Sequence, residues 1–232
     1  MNNYNPYYTQ APSRAGETTL IQRVSYLLCT ALLVTTATAW WANSIGLGPQ
    51  WFWPLAIGTV ACVFALRFAR ANAMLGLVLL YVLSVLEGLL LGPMLGAIAR
   101  GYPMGATIIG EAAGLSALLV GGIGAYVWIS NKDFGGIGKF LFWGLLGLLA
   151  IGLIGLFAHF SSGFSLVYSI GGAALFVGFT LYDFSNIKRR YGPNDYVIAT
   201  VQLYLDFLNL FLFLLRILML LSGNGSGGRR SN

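Results

Sequence analysis

Asp183 and Asp206 are carboxylates set inside two of the most apolar stretches of this chain. The first closes the run LVYSIGGAALFVGFTLYD, and the second lies within VIATVQLYLDFLNLFLFLLRILMLL. The midpoint between them falls at Asn194–Asp195, inside the turn-forming YGPND segment. Two helices folded back on each other there bring the two acids to a common depth. An ionisable group in a membrane span costs roughly 2.5–3.5 kcal/mol on insertion scales and marks a functional site by default. Two level acids in a dry site resist joint ionisation and titrate as a unit, which makes a pH-responsive device.

Three further ionisable residues fall within helices rather than loops: Glu87, Glu111 and Arg216. Lipid offers them no partner, so each is expected to face the bundle interior. Asp206 and Arg216 are ten residues apart, about 15 Å along a helix, and cannot pair directly. Arg216 has Glu87 or Glu111 as alternatives. Arg67 and Arg70 close the second apolar run at the end where the aspartates lie, and either can hold a carboxylate ionised. The plainer reading of Asp183 is that it snorkels towards Lys188 or Arg189. Asp206 is nine residues into its run between Leu205 and Phe207, and that reading does not extend to it.

The elements that must position these groups are long apolar helices. The sequence is 57 % hydrophobic and 9 % charged, against the roughly 25 % charged of soluble domains. A spanning helix needs about 20 mostly apolar residues, and seven such runs are readable: 24–43, 51–69, 73–98, 104–129, 139–160, 164–187 and 197–221. The expected organisation is a tail at 1–19, one seven-helix membrane domain at 20–221 and a flexible tail at 222–232. No cleavable signal peptide is evident. With the N-terminus inside, nine loop cations fall on one side (Arg14, Arg23, Arg67, Arg70, Lys132, Lys139, Lys188, Arg189, Arg190) and three on the other (Arg100, Arg229, Arg230). That bias predicts a cytoplasmic N-terminus; a re-entrant last segment is the alternative for the C-terminal arginines. Trp40, Trp41, Trp51 and Trp53 flank the first outer loop as an interfacial belt.

Other chemistries fail on inventory. His159 is the only histidine and reads as interfacial, no GxSG serine motif is present, and the last run has no lysine for a Schiff base. Cys29 and Cys62 lie in separate runs without metal spacing and read as small apolar residues. The chain is read as a non-enzyme with no cofactor and no nucleic-acid partner; its oligomeric state is not legible. Gly88, Gly92 and Gly96, and likewise Gly110 and Gly114, recur every fourth residue and are expected to be helix-packing ridges. Pro93 should kink its span.

The segment FVGFTLYDFSNIKRRYGPNDYVIATVQLYLDFLNLFLFLLRIL resembles the signature region of the Bax inhibitor-1 family. LYD, the basic IKRR loop, the DY pair after the turn and LYLDFLNLFLFLLRIL carry the likeness, with EGLLLGP, GEAAGLSALL and NKDF upstream. It covers about residues 20–221. The resemblance implies an all-α membrane protein with two three-helix layers around a central C-terminal helix. It also implies a pH-sensitive calcium leak in a bacterial inner membrane, with Asp183 and Asp206 as di-aspartyl sensor and transient Ca²⁺ ligands. Arg70, or failing it Arg67, fits the arginine latch of bacterial relatives, and Arg216 matches the family's last-helix arginine. The partners implied are the lipid bilayer and calcium ions. Some members of the family are linked to regulating membrane proteases or suppressing cell death, so the rival expectation is an interaction protein without ion conduction.

Overall fold

A computed structural model describes residues 14–69, 72–130, 132–155, 157–158 and 160–225. Among these residues there are seven α-helices and no strand: α1 Arg14–Ser44, α2 Phe52–Phe68, α3 Ala73–Gly101, α4 Gly105–Ile129, α5 Gly138–Ile154, α6 Ser162–Arg189 and α7 Tyr196–Gly225. All seven are long and apolar enough to cross a membrane. Helices satisfy every backbone group within the segment, which the bilayer core requires.

Local signals set the ends. Gly46 takes a left-handed φ of 64° after α1, where its N–H bonds the Asn43 carbonyl and that of Leu47 bonds Ala42. That is a Schellman closure, which glycine reaches without strain. Asn72 and Ser161 cap α3 and α6 by accepting from Leu75 N–H (3.1 Å) and Phe164 N–H (3.3 Å). The Ser161 cap also explains a difference from the sequence reading: α5 ends at Ile154 rather than 160, because Gly155 and the serine pair interrupt the apolar run. In the α6–α7 turn, Asp195 Oδ2 accepts from the Gly192 N–H at 2.8 Å.

Helix α7 is the axis. It packs on α1, α3, α4 and α6, while α2 lies outside against α3 and α5 outside against α6. The helices thus group as α1–α2–α3 and α4–α5–α6 with α7 between them. Residues of α7 enter all three buried clusters: Leu203 and Leu210 with Val24, Val127 and Phe176; Tyr204 and Leu208 with Ala31, Leu80 and Leu91; Phe211 and Leu215 with Ile98 and Ile108. Outward faces carry apolar side chains, among them Phe64, Trp143 and Val167.

Membrane helices associate through close packing rather than water exclusion, so small residues matter at their interfaces. A Cβ on Gly88 would run into Thr38 and the Thr35 carbonyl, one on Gly92 into Ala39 and Ala42, and one on Gly96 into Asn43. The α3 ridge therefore seats against a matching small-residue stripe of α1. Gly110 and Gly114 do not behave this way: a Cβ on either meets open space. The buried face of α4 runs through Ile108, Ala112, Ser116 and Val120, and these glycines lie off it. Helix α3 continues through Pro93 unbroken. Cys29 and Cys62 are both free thiols.

Candidate functional site

The two aspartates meet. Asp183 on α6 and Asp206 on α7 are each 4 % exposed, and their carboxyls lie within hydrogen-bonding reach of each other. Helical periodicity builds the constellation from four positions. Gln202 and Asp206 are four apart on α7, Thr180 and Asp183 three apart on α6, so each pair shares a helix face. Gln202 Nε2 donates to Asp183 Oδ1 at 3.2 Å, and Tyr191 Oη, in the turn beyond α6, donates to Gln202 Oε1 at 2.6 Å. The Thr180 hydroxyl flanks Asp206. Asp206 Oδ2 is buried with no hydrogen-bond partner. Such an orphaned acceptor costs about 1–3 kcal/mol, and it is the atom most available to a proton or a cation.

A cavity of about 560 Å³ between α2, α3 and α7 reaches this cluster, with Gln202 in its wall beside Leu66, Ala69, Ala73, Gly76 and Val201. It opens at the end of the bundle where the α2–α3 and α6–α7 connections lie. Arg70 lies outside the described residues. Arg67 falls in the last turn of α2, and its side chain is likewise outside them, as is His159.

The snorkelling alternative for Asp183 does not hold. Lys188 Nζ instead donates to the carbonyls of Val127 (3.0 Å), Trp128 (2.8 Å) and Ser130 (3.1 Å). It caps the C-terminus of α4, where unsatisfied carbonyls and the helix dipole both favour a cation. Arg189 donates to the Lys132 carbonyl at 3.1 Å. Arg190 forms a bidentate pair with Asp133, at 3.1 Å to Oδ1 and 2.8 Å to Oδ2. Asp133 Oδ1 also accepts from Ser185 Oγ (3.0 Å) and Gly135 N–H (2.8 Å). The Arg190 contact, with Gly135 and Ser185, lowers the Asp133 carboxyl to about 2. The basic run thus straps the end of α6 to α4 and to the loop after it.

Glu87 belongs to a second polar cluster, on the opposite side of α7. Fully buried Tyr204 pairs its hydroxyl with Thr35 Oγ1 at 2.7 Å, and Ser84 and Glu87 of α3 lie beside it. Two expectations need correction. Glu111 is exposed on α4 rather than facing the interior. It sits next to buried Ala112 but about 100° round the helix, six residues from the helix start. Arg216 is also on an exposed position. It pairs with neither glutamate: Nη2 donates to Ser165 Oγ at 3.3 Å and its guanidinium lies 5.6 Å from the Tyr168 ring centroid. Tyr204, the neighbour of Glu87, is twelve residues before Arg216, about 18 Å along α7.

Gln202, Thr180, Tyr191 and Tyr204 escaped the sequence reading, which followed charge. For Gln202 and Thr180 the signal was present as a polar residue four or three positions from a buried acid; Tyr191 and Tyr204 carried no such spacing. Among the described residues no group of three or more His, Cys, Asp or Glu is placed to hold a metal ion; what the pair offers is a small set of hard oxygen ligands.

Residues 17–223 match the family described as inhibitor of apoptosis-promoting Bax1. The chain is 35 % identical over 222 residues to an uncharacterised membrane protein of Vibrio cholerae, covering 94 % of this chain and 98 % of that one. It is 35 % identical over 163 residues to mouse protein lifeguard 4, covering 70 % and 66 %. To a Golgi anti-apoptotic protein of vaccinia virus it is 32 % identical over 205 residues, covering 85 % and 84 %.

Proposed function

Given that the chain belongs to the Bax inhibitor-1 family of multi-pass membrane proteins, we propose that it is a non-enzymatic calcium leak whose opening depends on protonation of Asp183 and Asp206. The observation that carries this reading is the meeting of two buried carboxyls across α6 and α7, with one oxygen of Asp206 unpartnered. A hard cation takes carboxylate and hydroxyl oxygens, and Asp183, Asp206 and Thr180 supply them, while Gln202 turns its amide N–H to Asp183. Conduction needs weak, sequential binding rather than a cage. In this reading a proton shared by the pair holds α6 against α7, and its loss sets two like charges against each other and loosens that contact. The N-terminus is assigned to the cytoplasm of a bacterial inner membrane from the loop cations, which puts the Gln202 cavity on the cytoplasmic side. Arg70 or Arg67 is proposed as the latch that would neutralise an ionised aspartate.

The test is Ca²⁺ flux into proteoliposomes across a pH series for wild type, Asp183→Asn and Asp206→Asn. Each variant should lose the pH dependence. A flux whose pH profile is unchanged in both would sink the sensor assignment. The second reading, a membrane interaction protein that modulates a protease or a stress response without conducting, draws on the anti-apoptotic name of the viral relative. Absence of flux at every pH from purified protein would favour it.

A further inference from the structure

A second cavity, of about 450 Å³, lies at the other end of the bundle. Its walls are α1 and α4 and its floor is α3 and α7. Leu32, Leu91, Leu95, Ile109 and Phe211 make it mostly apolar, Thr35 and Thr36 of α1 being the polar residues along its length, while Trp40 and Asn43 stand at its mouth. Its volume is that of a small-ligand site, in the range of roughly 300–1,000 Å³. It is an open cleft, not a sealed void.

Its length and its polarity gradient identify the occupant. From Asn43 to Leu32 is eleven residues of α1, about 16 Å at 1.5 Å per residue. Half of the roughly 30 Å hydrocarbon core of a bilayer is about 15 Å, so the cleft runs from one interface to the midplane. The interfacial end is marked by exposed Trp40 and Trp41, residues that favour headgroup level. There Arg100 Nη1 donates to Asn43 Oδ1 at 3.0 Å, and its guanidinium folds back over Gly96, which lines the cleft. No carboxylate pairs with Arg100 among the described residues. Glu111, on the same stretch of α4 as Ile109 and Ala113, is turned some 160–200° from both and faces away. A cationic mouth over an apolar slot one leaflet deep is complementary to a phosphodiester with an acyl chain beneath it.

We infer that this cleft binds one glycerophospholipid of the leaflet at the α1–α2 and α3–α4 end, with its phosphate on Arg100 and Asn43 and one acyl chain along α1 towards Leu32. The planar guanidinium suits bidentate phosphate contact. The lipid would fill the cleft between α1 and α4. Nothing in this assignment requires that the protein conduct ions.

The test is native mass spectrometry of the full chain released from detergent micelles after titration with palmitoyl-oleoyl phosphatidylglycerol. Wild type should hold one lipid per chain. Ala113→Trp, which fills the cleft from α4, should weaken binding at least tenfold, and Arg100→Gln, which keeps a donor for Asn43 but no charge, several-fold. Val167→Trp, of similar bulk on an exposed face of α6, should bind as wild type does. A tryptophan at 113 can disturb folding, so a second measurement uses native side chains at the cleft. Phospholipid brominated on the acyl chain should quench a share of fluorescence that Trp40→Phe abolishes, and unlabelled phospholipid should reverse the quenching. Equal binding by Ala113→Trp and Val167→Trp, displacement by inorganic phosphate alone, or a lipid-free dimer seated by the same residues would overturn the assignment.

Discussion

The link between Gln202 and Asp183 can be tested by adding a third acid at that point. In Gln202→Glu a carboxyl oxygen replaces the amide nitrogen now 3.2 Å from Asp183 Oδ1. With both groups ionised, two unit charges at that distance repel by about 5 kcal/mol at an effective dielectric of about 20. Gln202 is half-buried and borders a cavity, so rotation of the side chain and screening by water reduce this to roughly 2 kcal/mol. The sign follows from the proton. Below the titration of the new glutamate, its carboxylic O–H still donates to Asp183 and its carbonyl oxygen still accepts from Tyr191, so the native geometry survives. Above it the donor becomes a second anion. For a chain of 150–250 residues 1 kcal/mol moves Tm by about 2–4 °C. The variant should therefore match wild type at acid pH and melt roughly 4–8 °C lower at alkaline pH. The assay is thermal unfolding in detergent followed by tryptophan fluorescence from pH 4.5 to 9, with Gln202→Leu as a control whose deficit does not vary with pH. A Gln202→Glu deficit of the same size at every pH would refute the placement of Gln202 against Asp183.

Two further outcomes follow from the straps at the end of α6. Lys188→Met removes three hydrogen bonds from one ammonium, two to the last turn of α4 and one to the residue that caps it. Bonds to charged groups contribute about 1.5–3 kcal/mol each, but three from one ammonium are not additive, so a loss of roughly 2–4 kcal/mol is expected in thermal unfolding, with part recovered in Lys188→Arg. Asp133→Asn should raise protease sensitivity in the loop between α4 and α5. Because Arg190 lowers Asp133 to about 2, its contribution is fully present above the unfolded value of about 3.9. It disappears as pH falls through about 2, so wild type and variant should converge there and differ by a constant amount from pH 5 to 8.

Several features were already written in the order of residues. Seven apolar runs of spanning length dictate seven helices, because a bilayer allows an isolated segment no other way to satisfy its backbone. The turn at YGPND and the four-residue spacing of Gly88, Gly92 and Gly96 likewise act locally, and both appear where the sequence puts them. The meeting of Asp183 and Asp206 was legible from turn symmetry, although residues 190–195 are an uneven hinge that leaves Asp183 six residues from the end of its helix and Asp206 ten from the start of its own. The facing of side chains was not legible in the same way. An apolar helix in lipid is hydrophobic all round, so its sequence does not mark which stripe is buried. Glu111, Gly110 and Gly114 were misplaced for that reason, since only the contacts of α4 with α7 and α6 decide which of its faces turns inward. The basic run shows the same division. Its charge predicts a side of the membrane, but only folding brings Lys188 to the end of α4 and Arg190 to Asp133. Tertiary structure also turned a pair of acids into a chain of polar groups from Tyr191 through Gln202 to Asp206, because neutral residues reveal a role only when a partner from another helix arrives. Local sequence determines the elements and the depth of each charge; the choice of partners is made by packing, since it depends on rotations about helix axes that no single helix specifies.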